Sequence, residues 1–208
     1  MMKQKAIDNE ELEKIKEKNL LIITGLKKEY DSVVKFSRKK KHKNKKSKLS
    51  KIINKKQYPF LWEATKSEKG HELVDLILER KDRRYAALTI ELASTMEYFL
   101  REIYYMREEI DFNLSEEGSS SIKLLERELK STISIKNSGK LYLLNHVRNQ
   151  IIHGEFSLKK AKNLETVKSM SKKIYGDKKV KSKEYLSDFI NTAEMYIKNV
   201  EMKVISKN

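Results

Sequence analysis

The 208-residue chain contains no cysteine, only one proline and only six glycines. Without cysteine it can form neither disulfides nor thiolate metal sites, which fits a reducing compartment. So few prolines and glycines disfavour a β architecture with many turns. No apolar run is long enough to cross a membrane, and the first residues lack the apolar core of a secretory signal. We therefore expect a cytoplasmic protein with no membrane contact.

Positive charge is what the chain has in excess. Its 46 Lys and Arg residues outnumber its 30 Asp and Glu residues, for a formal net charge of +16. A chain of this kind gains binding free energy from a polyanion such as RNA, because bound counter-ions are released. The alternative is that the lysines serve only as a solvated surface. Apolar residues recur at helical spacing along most of the chain, which predicts an all-α fold.

The first part of the chain divides into a helix and a basic segment. Residues 1–36 are predicted to form one long amphipathic helix for packing or dimerisation. Residues 35–56 include no acid, and their densely spaced like charges oppose an ordered helix. We predict a flexible loop that contacts RNA phosphates without sequence preference, with a localisation signal or a merely solvated loop as alternatives. The candidate RNA-binding residues are Arg38, Lys39, Lys40, Lys41, Lys43, Lys45, Lys46 and Lys48.

The rest of the chain is predicted to form a bundle of helices. The charged run 79–84 is expected to separate a short apolar run at residues 73–78 from a second helix at about 84–109. The predicted inward positions of this second helix are Leu88, Leu92, Met96, Phe99, Leu100, Ile103 and Tyr104. Further helices are expected to begin near residue 121, to cover residues 141–153 and to run over about 182–204.

The stretch 141–154 contains the residues best suited to chemistry. It is predicted to be a helix that ends in Arg148, Asn149 and His153, with Gly154 as the stop signal. At about 100° per residue, Arg148 and His153 would lie about 140° apart on an ideal α-helix. They share a face only if the helix geometry changes near His153, or if a second copy of the chain supplies the partner. The predicted apolar stripe is Leu143, Leu144, Val147 and Ile151.

An Arg-Asn pair followed by three residues and then a His, at the point where a helix ends, resembles the signature of the HEPN superfamily. Residues 87–102 are similar to the first core helix of that family, with Glu97 and Arg101 four residues apart. The resemblance implies an antiparallel HEPN-like helical bundle in residues 61–208. Residues 1–60 would add the N-terminal helix and the basic loop, packed on this domain or separate from it.

The resemblance further implies a metal-independent endoribonuclease that leaves 2′,3′-cyclic phosphate and 5′-hydroxyl ends, acting as a toxin or in phage defence. His153 would transfer protons, Arg148 would stabilise the phosphorane and Asn149 would position both, with Glu97 and Arg101 near the cleft. A homodimer with a composite active site is expected, with an antitoxin or regulatory protein as a further partner. Some toxins of the family carry a Tyr two residues after the His; Glu155 occupies that position here, so neutralisation by nucleotidyl transfer is not implied.

The same residues also have structural interpretations. Arg148 and His153 could cap the last helix carbonyls and complement the helix dipole. Glu97 and Arg101 could form a surface ion pair worth about 0.2–0.5 kcal/mol. His146 and His153 lack a nearby carboxylate or thiolate ligand, so we expect neither a metal nor a cofactor. Two other functions stay open: an inactive HEPN-like module that binds RNA, DNA or a protein, and a nucleic-acid-binding accessory protein that uses residues 1–60.

Overall fold

The structure, a computed structural model, describes residues 9–38, 69–108, 121–134, 139–155, 157–178 and 180–203. Nearly all of this backbone is helical, which confirms the all-α prediction. The helices are α1 (Asn9–Arg38), α2 (Lys69–Glu108), α3 (Ser121–Leu129), α4 (Gly139–Gln150), α5 (Leu158–Ala161), α6 (Glu165–Tyr175) and α7 (Ser182–Asn199). A π-helical turn, Ile151–Glu155, follows α4 directly.

Helix α2 is continuous through the charged run 79–84, so the predicted break there is wrong. The run contains neither glycine nor proline, and Glu, Arg and Lys all have high helix propensity, so nothing in it interrupts the backbone hydrogen bonds. The predicted inward face of α2 is confirmed. Its buried residues include Leu88, Leu92, Met96, Phe99, Leu100 and Ile103, while Tyr104 is half-buried.

Helix α1 packs on α2 and α7 and contributes to the same hydrophobic core. Polar contacts fix its register. Lys18 Nζ lies 2.6 Å from Glu102 Oε1, and Asn19 Nδ2 donates to Glu102 Oε2 at 3.0 Å. Lys27 Nζ pairs with Glu194 of α7 at 3.0 Å. The core residues of α1 are Leu12, Ile23, Leu26 and Val33.

Contacts near the two ends of α4 give its direction relative to α2. Arg107, near the end of α2, donates to the carbonyl of Glu128 at the end of α3 and to Thr132 Oγ1 in the turn after it, both of which precede α4 in the chain. Asp82, much earlier in α2, accepts a hydrogen bond from the hydroxyl of Ser157, which follows α4 and the π-helical turn. Helices α2 and α4 therefore run antiparallel.

The C-terminal helix ends earlier than predicted, at Asn199 instead of about residue 204. A short strand, β2 (Glu201–Met202), follows and pairs antiparallel with β1 (Ile133–Ser134). Ile133 lies opposite Met202, and Lys203 N donates to Thr132 O at 2.9 Å. Strands of two residues are too short to show the alternating pattern that identifies a strand in a sequence.

Several sequence predictions fall outside the described ranges. The domain boundary at residues 60 and 61 is one of them and stays a prediction. Arg38 ends α1, but its side chain is not among those described. In the part of the chain that the structure does cover, no helix is both long enough and apolar enough to cross a membrane. The remaining basic-loop candidates, Lys39, Lys40, Lys41, Lys43, Lys45, Lys46 and Lys48, also lie outside the described residues.

Candidate functional site

Helix α4 lies in the middle of the bundle and contacts α2, α3, α6 and α7. A helix surrounded in this way needs apolar residues around most of its circumference, and polar residues are retained where it leaves the core. The predicted stripe is confirmed, and Leu141 and Asn145 are buried as well. The half-buried and exposed polar residues Arg148, Asn149 and His153 gather at its C-terminal end. The buried residues of the predicted stripe are Leu143, Leu144, Val147 and Ile151.

The backbone changes geometry between Arg148 and His153. Residues 139–150 are α-helical, and residues 151–155 form the π-helical turn. Gly154 therefore lies inside this turn, and the expectation that it ends the helix is wrong in detail. A π turn hydrogen-bonds i to i+5 and holds more residues than an α turn, so residues five apart lie closer to one face. The turn thus reduces the angular separation of Arg148 and His153 that an ideal α-helix would impose.

Arg148 and Asn149 are joined by their side chains. Arg148 Nη1 donates to Asn149 Oδ1 at 3.0 Å, which leaves the Asn149 amide nitrogen as the group able to donate elsewhere. The Arg148 Nε is buried and has no hydrogen-bond partner among the described residues. A buried donor without an acceptor costs about 1–3 kcal/mol, but other buried polar atoms in the described residues, such as His146 Nε2, share this feature, so it does not separate a functional role from a helix cap. His153, one turn further on, is exposed to solvent.

The segment after the π-helical turn is fixed to α2. The Ser157 hydroxyl donates to Asp82 Oδ2, and the Lys159 backbone N–H donates to Asp82 Oδ1 at 3.1 Å. Ser157 also caps α5 by accepting from the Lys160 backbone N–H at 3.1 Å. Leu158 is buried next to this cap. The turn that carries His153 is therefore held on one side by the buried α4 and on the other by Asp82.

Glu97 and Arg101 form a separate group, built by α2 and α3. Arg101 Nη2 and Nε lie 2.8 and 3.1 Å from Glu97 Oε1, while Ser121 Oγ donates to Glu97 Oε2 at 2.8 Å. Both oxygens of the carboxylate are thus engaged. Arg101 also lines a cleft of about 510 Å³ between α1 and α2, with Lys18 and Tyr98, whose lining does not include Arg148, Asn149 or His153.

Glu126 is a buried carboxylate that the sequence pattern did not indicate. Its two oxygens accept hydrogen bonds from the hydroxyls of Tyr142 in α4 and Tyr196 in α7, the latter at 2.8 Å. Burial, together with the Glu126 charge, raises the pKa of Tyr196 above its usual range. This group joins three helices inside the bundle.

His146 gives no sign of a metal site. It is half-buried, and its Nε2 has no hydrogen-bond partner among the residues that the structure covers. Within those residues, no three His, Asp or Glu side chains are grouped so that they could hold a metal ion.

No family model, curated protein or solved structure matches this chain.

Proposed function

We propose that the chain is a metal-independent endoribonuclease of HEPN type, with Arg148, Asn149 and His153 as its active residues. One observation carries the proposal. A solvent-exposed His lies within the π-helical turn that follows the hydrogen-bonded Arg148–Asn149 pair, at the end of an otherwise buried helix. π-Helical turns inside helices are rare and often lie at functional sites, and such turns also occur at helix C-termini, as here.

The chemistry needs a base, an acid and a cation. The 2′-oxygen attacks phosphorus as it loses its proton, the P–O5′ bond breaks, and the 5′-oxygen takes up a proton. A neutral imidazole of His153 accepts the first proton, and the guanidinium of Arg148 binds the charged oxygens of the phosphorane. Asn149 holds Arg148 through its carbonyl oxygen and offers its amide N–H to the substrate. The products carry 2′,3′-cyclic phosphate and 5′-hydroxyl ends.

One motif supplies one His, so a second copy of the chain provides the acid in this proposal. The resemblance to HEPN domains is what suggests this dimer. Sedimentation velocity of the full chain tests it directly. A monomer that still cleaves RNA would require another proton donor.

Glu97 and Arg101 receive a structural role in this proposal. Their ion pair and the Ser121 hydrogen bond hold the start of α3 against α2. Because both carboxylate oxygens are occupied, Glu97 is poorly placed to exchange a proton with the substrate.

The test is cleavage of structured and unstructured RNA in excess EDTA by the wild type, His153→Ala, Arg148→Ala and Asn149→Ala. Arg127→Ala is a matched control, because Arg127 is an exposed arginine on α3. We expect EDTA-resistant cleavage by the wild type and Arg127→Ala, and loss of at least a hundredfold in the His153 and Arg148 variants. Full activity in either of these two variants would reject the assignment.

A binding module without cleavage is the second candidate function. It is favoured by the net charge of +16, because counter-ion release promotes RNA binding whether or not cleavage follows. Wild-type protein that binds RNA and leaves it intact would support this function. For the proposed toxin or anti-phage role, induced expression of the wild type should arrest growth and that of His153→Ala should not.

A further inference from the structure

A second basic region lies in residues 157–184, next to the π-helical turn and away from the predicted basic loop in sequence. The sequence of this region holds ten lysines and three acids: Lys159, Lys160, Lys162, Lys168, Lys172, Lys173, Lys178, Lys179, Lys181 and Lys183 against Glu165, Asp177 and Glu184. Most of the described lysines here are exposed.

The acids of this region compensate little of its charge. Lys168 Nζ lies 3.6 Å from Glu165, and Lys172 Nζ lies 2.9 Å from Asp177, and in both pairs the side chains are largely exposed. Exposed pairs of this kind contribute at most about 1 kcal/mol and are screened by salt. An incoming phosphate can therefore displace either carboxylate at little cost.

Four of the lysines surround one recess. A pocket of about 320 Å³ lies between α6, the loop after it and the start of α7, and its lining includes Lys162, Lys168, Lys172 and Lys178 together with Ser171. Asp177 is the acid in this lining. Lys162 Nζ donates to the Val180 carbonyl at 2.9 Å, which ties the loop across the recess. Ammonium and hydroxyl donors are the groups that bind phosphate oxygens.

The fold joins this surface to the candidate active site. Helix α5 contacts the π-helical turn, and α6 packs against α4, so the basic surface and His153 belong to neighbouring exposed parts of the bundle. Ser157, the cap of α5, is held by Asp82.

We propose that the surface formed by α5, α6 and the loop before α7 binds the phosphate backbone of RNA, with the pocket lined by Lys162, Lys168, Lys172 and Lys178 at its centre. The proposal rests on the proposed function for its choice of RNA. It extends that function by assigning the substrate-binding surface to residues 157–184.

The experiment measures binding of a fluorescent 20-nucleotide RNA with 2′-O-methyl groups, in EDTA, by anisotropy at several KCl concentrations. This probe lacks the attacking hydroxyl, so binding is separated from cleavage. The variant is Lys168→Gln with Lys172→Gln. The matched control is Lys14→Gln with Lys198→Gln, since these exposed lysines also pair with one acid each, on α1 and α7. Both double variants change the net charge equally.

We expect the Lys168/Lys172 variant to lose about one order of magnitude in affinity at 0.1 M KCl. The plot of log affinity against log KCl concentration should also become less steep by about 1.4, because each lost phosphate contact to a single strand lowers that slope by about 0.7. The control should retain the wild-type slope. The assignment of this RNA-binding surface would be wrong if the Lys168/Lys172 variant kept the wild-type slope or if the control lost as much affinity. It would also be wrong if the wild type did not bind RNA.

The proposed function can fail independently. If the wild type binds the probe through Lys168 and Lys172 but leaves unmodified RNA intact, the surface stands and the ribonuclease assignment falls. If the wild type cleaves RNA and the Lys168/Lys172 variant binds the probe as tightly as the wild type, the ribonuclease assignment stands and the proposed binding surface is wrong.

Discussion

Asp82 and Ser157 are 75 residues apart in the chain and are joined by a hydrogen bond that fixes the segment after the candidate active site. Asp82 lies in the charged run of α2, and Ser157 begins the short helix that follows the π-helical turn. Asp82 also accepts from the Lys159 backbone N–H at 3.1 Å. The position of His153 therefore depends on a carboxylate in a distant part of the sequence.

Replacement of Asp82 by Ala should lower both stability and the proposed cleavage rate. Two hydrogen bonds to a charged acceptor are lost, which should reduce the free energy of unfolding by about 1–3 kcal/mol. The cleavage rate should fall as well, because the turn that carries His153 loses one of its two attachments. Urea unfolding and single-turnover cleavage measure the two effects.

Asp31→Ala is the control for this prediction, since Asp31 is an exposed carboxylate on α1. We expect its unfolding free energy to stay within about 0.5 kcal/mol of the wild type. Equal unfolding curves for the Asp82 and Asp31 variants would show that the Asp82 contacts do not stabilise the fold.

The inward faces of the long helices could be predicted from the sequence because they follow the 3.6-residue period. Leu92, Phe99 and Ile103 in α2 are buried as predicted. Apolar character alone is a weaker guide than the period, because the apolar Ile22 of α1 is 37% exposed. A helix of this length has more apolar residues than can fit on the one face that its neighbours cover.

The polar contacts that organise the site could not be predicted in this way. The bond from Ser157 to Asp82 joins distant residues and follows no period. Glu126 lies beside the inward-facing Leu125 and was not singled out, yet it is only 4% exposed, because Tyr142 and Tyr196 bring hydroxyl donors to it. The π-helical turn is likewise a local change of hydrogen bonding that residue spacing does not encode. The motif of Arg148, Asn149 and His153 was found because its residues are close in sequence.

Replacement of Glu97 by Gln tests the structural role assigned to it. Gln keeps an oxygen for Ser121 but loses the ion pair with Arg101. Because the two side chains are 15% and 32% exposed, we expect the free energy of unfolding to fall by at most about 1 kcal/mol. The cleavage rate should stay within a few-fold of the wild type. A hundredfold loss of rate with an unchanged urea midpoint would instead place Glu97 in the reaction.

Tyr196→Phe should destabilise the bundle through Glu126. The substitution removes the hydroxyl that donates to Glu126 Oε1 at 2.8 Å, so a buried carboxylate oxygen loses a donor. Such a loss costs about 1–3 kcal/mol, more than the packing change from Tyr to Phe would cause. Tyr98→Phe is the control, because Tyr98 is 50% exposed. The urea midpoints of the two variants should differ clearly, and equal midpoints would mean that Glu126 is satisfied by other groups.

Stability should fall at high pH, and buried tyrosines should cause part of the fall. Burial and the hydrogen bond to Asp188 raise the pKa of Tyr175 above its ordinary value of 10.0, and burial together with Glu126 does the same to the pKa of Tyr196. The folded state therefore holds these protons more tightly than the unfolded state. The resulting stabilisation is complete below the unfolded pKa, and it is lost progressively as pH rises above about 10 towards the folded pKa.

Urea unfolding of the wild type, Tyr175→Phe and Tyr196→Phe between about pH 9 and 11 measures this dependence, which arises where the pKa differs between the two states. Each variant should lose less stability over this range than the wild type, although Tyr196→Phe starts from a lower value. Deprotonation of lysines acts on all three proteins alike and cancels in the comparison. If both variants lose stability as steeply as the wild type, Tyr175 and Tyr196 do not contribute, and either Tyr185, whose pKa is also raised by burial, or lysine ion pairs such as Lys18–Glu102 account for the fall.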